Sequence, residues 1–165
     1  MLAERAHLLP LAEQDFELAE VTFPRVDGLG CVRVRTNLYS APAAPGRTVE
    51  VRLYPSHVAI HDEGRLIARH ERCYECQQQV LDLEHYLDVL ERKPGALSGA
   101  KALAAWCARG LWPASYDQLL EDLIRRHGQP SGTRQMIQVF SLIKPYGHER
   151  VRTAVAEALA LGCAP

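Results

Sequence analysis

The chain has 165 residues, 47% hydrophobic and 24% charged, with a formal net charge of −1. That is enough for one ordinary domain or two small ones with a real core, and it excludes a low-complexity chain or a densely basic nucleic-acid-binding tail. No apolar run approaches the length of a membrane span, no signal peptide opens the chain, and five cysteines fit reduced thiols in a cytoplasmic protein better than a disulfide framework.

Charge is unevenly placed. Residues 1–20 carry one basic and five acidic side chains, residues 21–72 carry eight arginines against five acids, and residues 73–165 carry ten of each. The basic bias therefore sits on one segment. Residues 1–20 read as an extended leader. Leu8, Leu9 and Leu11 flank Pro10 in a short apolar patch suited to docking on a neighbour, and Glu13, Asp15, Glu17 and Glu20 follow.

Residues 21–76 alternate with period two. Val21 to Val26, interrupted by Pro24, predicts an edge strand. Cys31 to Thr36 and Thr48 to Tyr54 each show apolar residues alternating with polar ones, and a Pro/Gly-rich turn at Ala44 to Gly46 leads from one to the other. Leu38 to Ala41, His57 to His61 and Arg65 to His70 complete the set, with Asp62-Glu63-Gly64 as a turn. Short strands at this spacing predict a small SH3-like β-barrel.

From Gln77 the period becomes 3.6, predicting a helical domain over 77–165 and an α+β chain overall. Five amphipathic helices are expected: Asp82, as cap, to Arg92; Ser98 to Arg109; a helix opened by a Ser115/Gln118 capping box and ended by Gly128; Thr133 to Ile143; and His148 to Leu161.

Several side chains invite a functional reading. Arg33, Arg35 and Arg52 can share a wet face, and with Asn37, Arg47, Arg65 and Arg69 they suit a phosphate backbone, although a solvated exterior would look the same. Arg92, Lys93 and Lys101 cluster near a loop and can touch phosphate or only water. Trp106 and Trp112 suit a core or, with Leu8 and Leu9, a protein interface. Cys73 and Cys76 form a C-x-x-C with His70 upstream, but a second pair is missing, so no metal or other cofactor is expected. Arg134, Gln135 and Gln138 imitate a recognition helix behind a turn too long for a standard helix-turn-helix. No nucleotide-binding loop, nucleophile elbow or H-E-x-x-H is present, so nothing argues for chemistry in this chain.

Several strings together resemble IstA-type transposases of bacterial insertion sequences. They are Glu20-Val21 through Asp27, Val32 to Pro42, Val80 to Leu87, Arg92 to Leu97, Gly132 to Gln135 and Val155 to Leu159, in the expected order. The resemblance implies a multidomain enzyme with an N-terminal helix-turn-helix part, a Mg²⁺-dependent DDE core upstream of this chain, and a helper ATPase of the IstB type. This chain would supply the last two pieces, a barrel and a helical region, without catalytic carboxylates. By analogy with phage Mu-type transposases, the barrel would hold double-stranded DNA non-specifically. The helices would touch other transposase protomers or the ATPase, in a bacterial cytoplasm near the nucleoid.

Overall fold

The computed structural model describes residues 18–162. Seven strands come first: β1 (Glu20–Thr22), β2 (Cys31–Val34), β3 (Asn37–Ser40), β4 (Glu50–Leu53), β5 (His57–Asp62), β6 (Arg65–Glu71) and β7 (Gln79–Val80). They form two sheets instead of the expected closed barrel, ordered β1-β4-β5-β6 and β2-β3-β7. The pairing explains why. A two-residue hairpin, Arg35-Thr36, returns β2 onto β3, and β4 is already flanked by β1 and β5. Cys31–Val34 and Glu50–Leu53 therefore do not pair with each other. The edge position expected for the first strand holds, since β1 ends the four-stranded order. The β5–β6 hairpin has Glu63 and Gly64 both at positive φ, 49° and 79°, the backbone that a tight two-residue hairpin turn requires.

The two sheets face each other across Val32, Val34, Tyr39, Val49, Val51, Val58 and Ile60, all buried. The opposite face of the three-stranded sheet meets the helices, where Cys31 and Leu38 join the helical core. Period-two alternation thus serves two cores from one sheet: Val32 and Tyr39 look one way, Cys31 and Leu38 the other.

β7 lies in the segment, 77–165, that the sequence assigned to the helical domain, just ahead of the first expected helix. It pairs in parallel with β3, Leu38 opposite Gln79 and Tyr39 opposite Val80. Side chains of β3 hold the crossing chain there. Asn37 Nδ2 donates to the carbonyls of Cys73 (2.9 Å) and Glu75 (2.8 Å), and its Oδ1 accepts from the Gln78 amide (2.9 Å). Tyr39 Oη accepts from the Cys73 amide at 3.0 Å. Ser40 Oγ accepts from the Asp82 amide (2.9 Å) and lies 2.8 Å from His85 Nδ1, while the Ser40 carbonyl accepts from His70 Nε2 at 2.7 Å.

Asp82 is the cap expected of it, its Oδ1 accepting from the Glu84 amide at 3.0 Å, but it opens a 3₁₀ turn, Leu83–Tyr86, that leads into α1 (Leu87–Arg92). A second 3₁₀ turn, Pro94–Ala96, leads towards α2 (Lys101–Ala108). Then come α3 (Ala114–His127), α4 (Gln129–Ser141), α5 (Ile143–Tyr146) and α6 (His148–Ala160). The Ser115 capping box does not form: Pro113 occupies the cap position and Ser115 already lies inside α3. α4 starts four residues before the expected Thr133. Gly128 at φ 77° breaks the chain, and Pro130 fits a first turn whose N–H groups have no helical partner anyway. Gly132 is thereby inside a helix, and the reason is contact. A Cβ there would stand 2.6 Å from the backbone nitrogen of Ile124 and the carbonyl carbon of Leu123 in α3.

Trp106 is the centre of the helical core, fully enclosed, edge-on to Phe140 and His148, with Nε1 donating to Asp82 Oδ1 at 3.2 Å. An interface role for Trp106 is thereby corrected: no face is left for a partner. Trp112 is half-buried against Tyr116 and Phe140, and its Nε1 donates to Asp117 at 2.7 Å. Leu8 and Leu9 lie outside the described residues.

Two outcomes follow from this packing. Gly132→Ala forces α3 and α4 apart and costs about 1–3 kcal/mol, read as a lower urea midpoint; an unchanged midpoint refutes the close approach. Burial beside His70 pushes the His85 imidazole down to about 4, and His70 is lowered in the same direction by burial. Between the ordinary histidine range near 6.5 and about 4, the unfolded chain takes up protons that the fold refuses, so stability falls as pH falls through that window. Glu84, raised by burial and by Asp82, contributes with the opposite sign. The slope of Tm against pH should flatten in His85→Asn, and an identical slope would remove His85 from the account.

Candidate nucleic-acid interface

The expected DNA-binding side chains separate into those already occupied and those left open. Asn37 is 4% exposed, and both ends of its amide hold the 73–78 loop, so it cannot reach a ligand; its role in DNA contact is corrected to a structural one. Arg47 bridges Asp62 (2.7 Å) and Glu63 (2.8 Å), which raise its pKa and cancel its charge. Arg52 pairs with Glu50 at 2.6 Å. Arg35, in the β2–β3 turn at φ 53°, pairs with Glu20 at 2.7 Å, with both side chains open to solvent.

Arg33, Arg65 and Arg69 are exposed and form no ion pair among the described residues. Arg33 stands at the middle of β2, opposite Leu38, which is itself opposite Gln79. Lys101 Nζ reaches Gln79 Oε1 at 3.5 Å. Arg33, Leu38, Gln79 and Lys101 therefore follow one another across one face of the three-stranded sheet. Arg69 lies on the outer face of the other sheet, in register with Ala59 and, beyond it, Arg52. With neighbouring strands about 4.8 Å apart, those two arginines are roughly 10 Å apart over a small buried alanine. The expectation that Arg33, Arg35 and Arg52 share a face does not hold. Arg52 belongs to the four-stranded sheet, with Val51 and Leu53 turned inward on either side of it. Arg92 and Lys93 are exposed where α1 ends, beside Glu91, whose carbonyl and carboxylate accept from Arg134 and Gln138 at 3.4 Å. The imitation recognition helix is thus turned onto α1.

Two grooves, about 300 and 260 Å³, lie side by side, and Val34, Arg35 and Leu53 line both. One end holds Phe23, 66% exposed, beside Arg33; the other holds Arg72 and Tyr74, the latter 72% exposed. The Arg72 guanidinium lies 4.6 Å from the centre of the Tyr74 ring and donates to the Tyr54 carbonyl at 3.0 Å. Phe23, Arg72 and Tyr74 were not singled out in the sequence. Residues 72 and 74 do continue the period-two spacing of β6, the one signal that could have found them. Cys73 is half-buried and Cys76 exposed in the same groove. His70 uses Nε2 on the Ser40 carbonyl instead of joining them. Among the described residues no group of three or more histidine, cysteine or acidic side chains is placed to hold a metal ion, and no helix is long and apolar enough to cross a membrane.

Residues 11–82 match the family described as Mu transposase, C-terminal domain. A transposase of Aminobacter aminovorans is 31% identical over 144 residues, which is 84% of this chain and 27% of that protein. Transposases for insertion sequences IS1326/IS1353 from Pseudomonas aeruginosa and Shigella flexneri are each 30% identical over 165 residues, 96% of this chain and 31% of theirs. Its likeness is to the C-terminal region of transposases. The chain spans less than a third of the length of these relatives. No solved structure gives a significant match.

The transposase-family match ends at Asp82, the residue that caps the first helical turn, and so takes in every strand among the described residues together with the crossing segment that Asn37, Tyr39 and Ser40 hold. The longer relatives extend the likeness over the helices as well. Replacing Asn37 by Ala strands two carbonyls and one amide together. The cost should be about 2–3 kcal/mol, with faster hydrogen exchange at the Gln78 amide; unaltered exchange there would show that the loop is held by something else.

Proposed function

We propose that this chain is the non-catalytic C-terminal module of a DNA transposase, one that grips the DNA backbone without reading bases and helps assemble the transposase on its DNA. The observation that carries this is the division among the arginines. Arg33, Arg65 and Arg69 are exposed on strands and pair with no acid among the described residues, while Arg47 and Arg52 are neutralised by carboxylates. An unpaired guanidinium on a strand presents its fork to phosphate oxygens without first losing a partner. Lys101, in line with Arg33 across the sheet, adds a point charge to the same face. The catalytic carboxylates of the parent protein belong to another part of it, of the DDE kind that IstA-type enzymes imply.

A second surface favours a protein partner for the helices. Leu119, Val139, Leu142, Tyr146, Val151 and Val155 line a groove of about 360 Å³, and Leu142 and Tyr146 are exposed. It suits an apolar side chain from another transposase protomer or from the helper ATPase. The two readings concern different faces and are compatible.

Polarisation binding to random-sequence duplex over a salt series tests the first reading. Affinity should fall steeply with salt, and each removed phosphate contact should lower the slope of log K against log salt by about one. Arg33→Glu with Arg69→Glu should abolish binding at moderate salt, whereas Arg47→Gln should leave it unchanged. No binding at low salt, or equal loss in Arg47→Gln, defeats the assignment.

A further inference from the structure

We infer that the trough between Phe23 and Tyr74 seats a short unpaired DNA segment, with its phosphates on Arg33 and Arg35 and a base on the open side of the Tyr74 ring. This rests on the DNA-binding reading above and adds the strandedness of what is bound at this place. The Tyr74 ring is fixed before any ligand arrives. Its hydroxyl donates to the Pro55 carbonyl at 2.6 Å, and Arg72, itself tied to the Tyr54 carbonyl, lies 4.6 Å from its centre. The residue is still 72% exposed, so it is held in place yet uncovered. A ring fixed in this way loses little freedom when a base stacks on it.

The anion position is marked as well. Glu20 Oε2 sits 2.7 Å from Arg35 Nη2, both side chains are more than half exposed, and a pair so solvated contributes little to stability. A phosphate oxygen can take the place of that carboxylate, with Arg33, which pairs with no acid among the described residues, lining the same groove. At the far end Phe23 is 66% exposed, an apolar ring left in water next to two guanidinium groups. A duplex keeps its bases stacked inside and offers such a trough only phosphates, so neither ring gains a partner. Bases outside a helix offer both phosphate and a flat face, and aromatic rings alternating with arginines are the arrangement that takes them.

The experiment uses the full chain and fluorescence polarisation with a blunt random duplex, the same duplex with a single-stranded overhang, and oligothymidine of about 12 nucleotides. The overhang duplex should bind more tightly than the blunt one. Tyr74→Ala should weaken overhang and oligothymidine binding roughly tenfold while leaving the blunt duplex unchanged, and Tyr74→Phe, which keeps the stacking face but loses the Pro55 tether, should recover part of that loss. Circular dichroism and Tm verify that each variant is folded, and Phe23→Ala supplies an independent second variant. Equal affinity for blunt and overhang duplexes, or equal loss on both in Tyr74→Ala, overturns this inference and leaves salt-sensitive duplex binding standing. No binding to any of the three overturns the broader reading along with it.

Discussion

The structure depends on what three polar side chains of β3 do with the chain that returns past them. Asn37, Tyr39 and Ser40 together bind backbone groups of Cys73, Glu75, Gln78 and Asp82. Strand pairing alone gives that crossing only the two-residue parallel contact of β7. Parallel pairing over so short a length is weak, and the side-chain bonds convert it into a fixed junction. Asp82, placed by Ser40, then caps the first helical turn and receives the Trp106 indole N–H. A single strand thereby sets where the helical core begins.

That junction also explains which polar residues are sealed in. His70 and His85 meet edge-on at 5.4 Å around Ser40, and burial lowers the pKa of both. Neutral imidazoles can accept or donate there without a counter-charge. The charged groups stay outside, where Arg35, Arg47 and Arg52 find acids across from a turn, at a hairpin end or along their own strand. The guanidinium groups that pair with no acid among the described residues, Arg33, Arg65 and Arg69 on the strands, decide where an anionic polymer can be met.

Much of this was legible in the sequence and some was not, for definite reasons. Alternation located β2, β4 and β5 because Val32 and Val34, Val51 and Leu53, and Val58 and Ile60 recur at every second position, and Asp62-Glu63-Gly64 announced its own turn. Partnership was hidden. Alternation tells which side of a strand is wet but not which strand lies beside it, so β2 and β4 looked like neighbours. β7 was invisible because two residues carry no period. Asn37 looked like a contact residue because an exposed-type side chain after an alternating run resembles a strand end. Gly132 and Pro130 read as loop because both disfavour helix interiors, whereas Pro130 sits in a first turn and Gly132 answers a backbone 2.6 Å from where its Cβ would be. The cancelling of Arg47 and Arg52 by acids could not be read from spacing at all.

The sheet that separates the two cores carries a constraint of its own. Cys31 and Val32 are adjacent, yet one is packed among helices and the other among strands. A slip of β2 by one residue against β3 would hand a valine to the helical side and a thiol to the strand side, and would turn Arg33 from solvent to interior in the same stroke. A one-residue change of length inside β2 therefore disturbs both cores at once unless a bulge absorbs it, as one does between β5 and β6.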